Sequence, residues 1–173
     1  MESEITDPAP KNTGTIRSPA MPRFLIVEHP KEKKHKCTIA LLKGRPDIDF
    51  VSSERLEKVD LNGALLLNVE GERDLSPADA DRTIVLVDAS WRWAGRVARR
   101  MTCERRRIPG FVSAYPRSSK VFRDPPGGLA SAEVLFIAAL IMGVRDETLL
   151  VGFRWKKEFL EINRAAIERI ETR

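Results

Sequence analysis

The sequence predicts an α/β protein with a mostly parallel sheet in its N-terminal half and a helical C-terminal half. Short apolar runs bounded by turn residues alternate with helical patterns in the first half, which favours strands joined by helical connections. In the second half, most apolar residues recur at helical spacing. The 173 residues can bury a core in one domain or two small ones. We expect an N-terminal α/β region at residues 22–90 and a mainly helical region at residues 91–173.

The N-terminal elements follow a polar segment. Residues 1–21 are rich in Pro, Ser and Thr and have few large apolar side chains, so we expect a disordered tail. FLIVEH, GALLLNV and RTIVLVD read as strands, and RTIVLVD, residues 82–88, as the central buried one. Two helices are expected between them. One is capped by Thr38 and ends at Gly44, and the other is capped by Ser76 before a proline.

The C-terminal elements are mainly helical in this prediction. Residues 91–103 read as a basic helix, and a short strand is expected around residues 111–113. A turn-rich loop of functional length separates this strand from an apolar helix that ends at Gly143. A short helix, ETLLVGF, precedes the last helix. That last helix carries one apolar stripe at helical spacing, formed by Trp155, Phe159, Ile162, Ala166 and Ile170.

Composition and charge restrict the class of protein. Hydrophobic residues make up 42% and charged residues 32% of the chain, as in soluble globular proteins. No apolar stretch approaches the roughly 20 residues of a membrane span, and the charged N-terminus lacks the apolar region of a secretory signal. Cys37 and Cys103 are isolated, so we expect no metal site and a reducing, cytoplasmic location. The net charge of +5 directs attention to where the basic residues lie.

The stretch LVDASWRW, residues 86–93, ends the central strand in a carboxylate, a hydroxyl and a tryptophan. Ligands of open α/β sheets bind just beyond the carboxyl ends of the strands, so this stretch is a candidate site. Asp88 could equally cap the following helix, and Trp91 could be an ordinary core residue. Trp93 and Trp155 are expected to serve packing.

Five stretches, taken in order, resemble the small-subunit ribosomal-RNA aminocarboxypropyltransferases of archaea and eukaryotes. They are KKHKCTIALLK, ALLLNVEGERDLSPAD, LVDASW, RRRIPGFVSAYP, and GLASAEVLFIAALIMG together with FRWKKEFLEINRAAIERI. The resemblance covers residues 23–170. It implies a SPOUT-like fold with a trefoil knot. It also implies transfer of the 3-amino-3-carboxypropyl group of S-adenosylmethionine to a (pseudo)uridine in RNA, with small-subunit rRNA as the expected substrate.

The resemblance also implies residues around S-adenosylmethionine. Asp88 is the candidate catalytic residue, which could stabilise the sulfonium or accept the proton of the attacking base nitrogen. Thr38 could receive the tail carboxylate at a helix N-terminus or act only as a cap. Glu133, an acid in an apolar helix, needs a partner or a site unless it lies on the helix surface. The candidate cofactor-binding residues are Thr38, Leu67, Val87, Asp88, Trp91, Val112, Leu129 and Glu133.

Basic residues are concentrated in two segments. Seven arginines and one acid lie from Arg92 to Arg107, and a group of lysines begins at Lys31. A charge run is often only a solvated face, but beside a candidate pocket this density favours contact with phosphates. The candidate RNA-binding residues are Lys31, Lys33, Lys34, Arg92, Arg96, Arg99, Arg100, Arg105, Arg106, Arg107 and Arg117.

The expected partner is RNA, either rRNA or the pre-ribosomal small subunit, bound by a monomer without membrane or metal. The stretch YPRSSK, residues 115–120, departs from the family pattern N-P-V-N-Y-G, so the modified nucleotide is not assigned. Two alternatives stay open. One is a SPOUT-type RNA methyltransferase that uses the same cofactor, and the other is a non-catalytic RNA-binding ribosome-assembly factor.

Overall fold

Six parallel strands form one sheet in the part of the chain that the structure describes. The structure is a computed structural model that describes residues 21–31, 37–116 and 125–173. In chain order the strands are β1 (Phe24–Glu28), β2 (Ile48–Ser52), β3 (Leu65–Leu67), β4 (Arg73–Asp74), β5 (Ile84–Asp88) and β6 (Glu104–Arg107). Their order across the sheet is β2-β1-β5-β3-β6-β4, and every neighbouring pair is parallel. The predicted parallel sheet is confirmed.

Helices cover the sheet and follow it in the chain. The α-helices of the described residues are α1 (Trp91–Ala98), α2 (Ser131–Ile141), α3 (Lys156–Ile162) and α4 (Arg164–Glu171). Within the same described residues, 3₁₀ helices span Ala40–Leu42, Ser53–Lys58, Pro77–Asp79 and Glu147–Leu150. Gly143, with φ of 91°, follows the end of α2 as predicted, because a left-handed residue there costs glycine little. No helix in the described ranges has the length and apolar character needed to cross a membrane.

Apolar layers cover both faces of the sheet. Neighbouring residues of β5 point to opposite faces, so Ile84 joins a large cluster with α2 and the last helices. Val85 joins a smaller cluster that contains Val97 of α1. Because both faces are buried, β5 reads as one continuous apolar run in the sequence. This is why its central position could be predicted.

The strand predicted at residues 111–113 is wrong, because these residues form no sheet ladder. The side-chain amide of Asn163 bonds the backbone there, as a neighbouring strand would. The Val112 N–H donates to Asn163 Oδ1 at 2.8 Å, and Asn163 Nδ2 donates to the Val112 carbonyl at 2.8 Å. The strand of this region is instead β6, whose four residues are all charged.

Two predicted helices end differently in the structure. Helix α1 stops at Ala98 rather than residue 103, because the chain must turn to enter β6. The last predicted helix is two helices that meet at Asn163. This break changes the buried face, so Ile162 of the predicted stripe is 53% exposed while Ile167 is buried.

Several short elements of the structure differ from the sequence prediction. Strands β2 and β4 were not predicted. The expected helices near Thr38 and Ser76 are 3₁₀ turns of three residues each. The Ser76 N–H donates to Asp79 Oδ2 at 3.1 Å, which agrees with the predicted start of the second turn. The predicted tail, apart from Met21, lies outside the described residues, and the division at residue 90 stays a prediction.

Candidate active site

A cleft of about 1250 Å³ opens at the carboxyl edge of the sheet. The ends of β3 and β5, the first turns of α1 and the segment 125–131 line it. Its volume exceeds the roughly 300–1000 Å³ of an ordinary small-molecule pocket. The cleft therefore has room for a nucleotide-sized cofactor and for part of a second molecule.

The strand order explains why the cleft forms beside β5. The chain leaves β1 toward β2 on one side and leaves β5 toward β6 on the other, although β1 and β5 are neighbours. Such a switch point opens a crevice at the carboxyl ends of the two strands. Glu28 and Asp88, the last residues of these strands, stand opposite each other in the register.

Asp88 is buried at this edge, with 9% of its surface exposed. Its Oδ1 accepts a hydrogen bond from the Ser131 hydroxyl at 2.6 Å, and its Oδ2 accepts one from the Cys37 thiol at 3.2 Å. Both partners lie outside α1, so these bonds do not cap the helix that follows β5. A carboxylate offers about four acceptor positions, so it keeps capacity for a further donor.

Cys37 supports this carboxylate as a neutral donor. Burial, and then the charge of Asp88, raise the pKa of Cys37 from 9.0 to about 12. The ligand atoms of Glu28, Cys37 and Asp88 lie within 4.8 Å of one another, close enough for a metal ion. A metal would require the thiolate, and Glu28 is already paired with Lys43 at 2.9 Å. The chemistry of the three groups favours a hydrogen-bonded network.

Thr38 and Trp91 approach the same cleft from different elements. The Thr38 hydroxyl accepts from the Ala132 N–H at 3.2 Å, so it caps α2 rather than the turn that begins after it. Trp91 is half-buried and packs against Gly128, where an added Cβ would lie 2.7 Å from Trp91 Cζ2. Only glycine leaves room for the indole at that point of the 125–128 segment.

The structure brings six of the eight candidate cofactor residues to the cleft and leaves two outside it. Those that line it are Thr38, Leu67, Val87, Asp88, Trp91 and Leu129. Val112 is 61% exposed, and Asn163 occupies its backbone groups. Glu133 is fully buried and accepts from the N–H groups of Ala114 and Ala130 and from the Ser113 hydroxyl, each at 2.7 Å. Glu133 thus has the partners that an acid in an apolar helix requires, and it joins α2 to the 113–115 segment instead of lying on the helix surface.

Known proteins with similar sequences and structures identify the family. A family model described as ribosome biogenesis protein, C-terminal, matches residues 65–172. A 16S rRNA aminocarboxypropyltransferase of Methanopyrus kandleri is 32% identical over 154 residues, which are 83% of this chain and 86% of that protein. A protein of the same name from Methanothermobacter thermautotrophicus is 30% identical over 153 residues, with 83% and 86% covered.

The chain belongs to this aminocarboxypropyltransferase family. A third member, from Halobacterium salinarum, is 37% identical over 107 residues, which are 61% of this chain and 62% of that relative. That match therefore spans less than two thirds of the relative. The solved structure of the SAM-dependent rRNA:acp-transferase Tsr3 from Vulcanisaeta distributa has a TM-score of 0.68 and 25% identity. It covers 88% of this chain and 84% of that one.

The candidate RNA-binding residues that the structure describes do not form one surface. Arg106 is buried and bonds Asp79 at 3.3 Å, so its prediction as a phosphate contact is wrong. Arg100 pairs with Glu57 at 2.8 Å. Arg105 is half-buried and donates to a backbone carbonyl. Arg105 and Arg106 use donors within the protein, whereas Arg100 and Glu57 form an exposed pair at the surface.

The remaining basic candidates are closer to the cleft or more exposed. Arg92 and Arg107 line the cleft, although Arg107 also pairs with Asp74 at 2.7 Å. Arg96 and Lys31 lie over the Trp93 ring, and Arg99 is exposed. Three of the candidates, Lys33, Lys34 and Arg117, lie outside the described residues.

Sequence reasoning missed three members of the candidate site. Ser131 and Cys37 bond Asp88, and Gly128 receives Trp91. Each lies inside one of the stretches that resemble the family, one or two residues from a candidate cofactor-binding residue. The signal that could have found them is this adjacency, since KCT places Cys37 beside Thr38 and LASAE places Ser131 two residues before Glu133.

Proposed function

We propose that this protein transfers the 3-amino-3-carboxypropyl group of S-adenosylmethionine to a uridine-type base of small-subunit rRNA. The observation that carries the proposal is the buried Asp88 carboxylate at the switch point of the sheet, held by two donors beside a large cleft. The names of the relatives support it, because three of them are 16S rRNA aminocarboxypropyltransferases. We also propose that the fold is of the SPOUT type and contains a trefoil knot, as the family resemblance implies.

The lining of the cleft fits S-adenosylmethionine chemically. Leu67, Val87 and Leu129 offer apolar surface and strand-end backbone groups for an adenosine. Asp88 supplies a negative charge for a sulfonium cation, and Trp91 an aromatic ring. The dipole of α2, whose first turn lies beside Thr38, favours a carboxylate at this end of the cleft. These side chains would hold the cofactor from β3, β5, α1 and the loops that carry Thr38 and Leu129.

In the proposed reaction, Asp88 accepts a proton from the RNA. When bound, S-adenosylmethionine supplies an electrophilic methylene carbon next to a sulfonium leaving group. The base nitrogen would bond to that carbon as the carbon–sulfur bond breaks, with methylthioadenosine as the leaving group. The proton of the nitrogen passes to Asp88, which retains acceptor capacity beyond Ser131 and Cys37. Ser131 and Cys37 fix the orientation of the carboxylate for this transfer.

The RNA substrate is proposed to enter along the basic side of the cleft, where Arg92 lies. Arginine side chains at the rim would contact phosphates and set the position of the strand, whereas base contacts would occur inside the cleft. We propose further that the protein acts as a monomer on rRNA or on the pre-ribosomal small subunit in the cytoplasm.

An isotope experiment tests the proposed function. The wild-type protein is incubated with small-subunit rRNA and S-adenosylmethionine labelled either in the carboxyl carbon or in the methyl group. We expect the carboxyl label, and not the methyl label, to enter the RNA. Transfer of the methyl label would establish the methyltransferase alternative, and transfer of neither label would favour a non-catalytic RNA-binding protein.

A further inference from the structure

A cluster of flat and cationic side chains borders the cleft on the side of α1. The imidazole of His29 stacks on the indole of Trp93, with ring centroids 4.1 Å apart and planes inclined by 21°. The Arg96 guanidinium lies 4.8 Å and the Lys31 ammonium 5.8 Å from the Trp93 ring centroid. We call these four residues the Trp93 cluster.

The setting of Trp93 differs from that of a core tryptophan. It lies on the first turn of α1, is half-buried and lines the cleft. The buried residues of α1 are Val97 and Ala98, one turn further along the helix. Trp93 is surrounded by an imidazole and two cations, which are poor partners for an apolar core. The sequence-based expectation that Trp93 serves packing therefore does not account for its contacts.

The Trp93 cluster lies beside the backbone of the proposed catalytic residue. The backbone N–H of His29 donates to the backbone carbonyl of Asp88 at 3.5 Å, because His29 continues β1 beside the end of β5. Trp93 and Asp88 also line the same cleft. A molecule that contacts the cluster would thus lie next to the site of the reaction.

We propose that the Trp93 cluster binds a nucleotide of single-stranded RNA that neighbours the modified one. This inference rests on the proposed function and names how its RNA substrate is held. A base stacks on the His29–Trp93 pair, while Lys31 and Arg96 contact phosphates. Aromatic faces and arginine planes are the surfaces on which unstacked bases bind, and adjacent cations neutralise the backbone.

Stacking has two consequences that differ from those of a purely electrostatic contact. It tolerates different bases, because every base has a π-face, and it requires an unpaired strand. The cluster therefore favours a loop or an unpaired segment of rRNA over a duplex. Removing the indole should weaken RNA binding without changing the affinity for S-adenosylmethionine.

The test measures RNA and S-adenosylmethionine affinities of the full chain. The RNA probe is a labelled single-stranded oligonucleotide of small-subunit rRNA sequence, titrated over a series of salt concentrations. Trp93→Ala should weaken RNA binding by about tenfold or more, since stacking contributes roughly 1–3 kcal/mol per base. Trp93→Phe should retain most of the affinity. Arg96→Ala should lower the salt slope by about one, whereas Arg55→Ala, an exposed arginine away from the cleft, should not.

Two further measurements separate the possible failures. His29→Ala is a second variant, which should weaken RNA binding in the same direction even if Trp93→Ala proves unstable. If wild-type protein binds the RNA and Trp93→Ala and His29→Ala bind it equally well, this inference is overturned while the proposed function stands. If the wild-type protein binds no RNA, both are overturned.

Discussion

The Ser131 hydroxyl donates a hydrogen bond of 2.6 Å to the carboxylate of Asp88, 43 residues earlier in the chain. This bond joins the end of the central strand β5 to the first residue of α2. The Cys37 thiol donates to the second oxygen of the same carboxylate. The orientation of Asp88 therefore depends on two distant segments, and each can be changed without altering the acid itself.

Substitution of Asp88 and Ser131 should reduce transfer to different degrees. Asp88→Ala should lower kcat by about a hundredfold or more, which is the usual contribution of a general base. Ser131→Ala should lower it by about tenfold, since a hydrogen bond to a charged group contributes about 1.5–3 kcal/mol. Rates of label transfer to rRNA provide the measurement. Ser52→Ala, a serine that caps the Ser53–Lys58 turn outside the cleft, is the matched control. A Ser131→Ala enzyme as active as the control would remove Ser131 from this role.

Trp91→Ala should weaken S-adenosylmethionine binding by about tenfold while the protein stays folded. Its ring lines the cleft and rests on Gly128, so its loss removes an aromatic contact and one wall of the site. Trp91→Phe should fall between the wild type and Trp91→Ala. Calorimetric titration combined with a thermal melt checks this. Unchanged affinity in a folded Trp91→Ala protein would show that the indole only packs.

Alkaline pH should remove a stabilising contribution of Cys37. Burial and Asp88 raise the pKa of this thiol to about 12 in the folded protein, above its ordinary 9.0. The neutral thiol is thus favoured by folding, and its contribution is complete below about pH 9 and lost as the pH rises toward 12. Urea unfolding from about pH 8 to pH 11 should show the protein that retains Cys37 losing stability relative to Cys37→Ser. Both proteins carry Cys103→Ser, which leaves Cys37 as the one titrating thiol. A constant difference would contradict the assigned environment.

Glu133→Ala should destabilise the protein by about 3 kcal/mol or more. The substitution leaves the buried N–H of Ala130, the part-buried N–H of Ala114 and the Ser113 hydroxyl without their acceptor. Glu133→Gln should cost less, because its carbonyl oxygen still accepts. Denaturant unfolding gives the free energies, and exposed Glu158→Ala should stay within about 0.5 kcal/mol of wild type. A loss for Glu133→Ala as small as that of the control would mean that the network is not formed in solution.

The sequence predicts the parallel sheet and the position of Asp88 and Trp91 at its carboxyl edge, but not every strand. Asp88 and Trp91 could be predicted because a strand buried on both faces is recognisable, and the residues at its carboxyl end follow from the chain direction. Strand β6 could not, since its four charged residues have no strand pattern. Its arginines are accommodated by Asp74 and Asp79, which lie about 30 residues away in the chain.

Partners that are distant in the sequence account for the other differences. The exposed position of Val112 follows from the side chain of Asn163, 51 residues later. The same asparagine separates α3 from α4, which periodicity alone reads as one helix. Glu133 was singled out correctly as an unusual acid. Its partners, however, are backbone groups of a segment whose proximity only the folded chain shows.

The small-molecule product of the reaction shows directly whether the protein transfers the aminocarboxypropyl group or the methyl group of S-adenosylmethionine. Wild-type protein, S-adenosylmethionine and small-subunit rRNA are incubated together, and the nucleoside by-product is identified by mass spectrometry. Asp88→Ala provides the matched control for cofactor breakdown that does not depend on the site. We expect the wild type to form methylthioadenosine in proportion to modified RNA. We expect almost none with Asp88→Ala. Formation of S-adenosylhomocysteine, or equal amounts of methylthioadenosine from both proteins, would contradict this expectation.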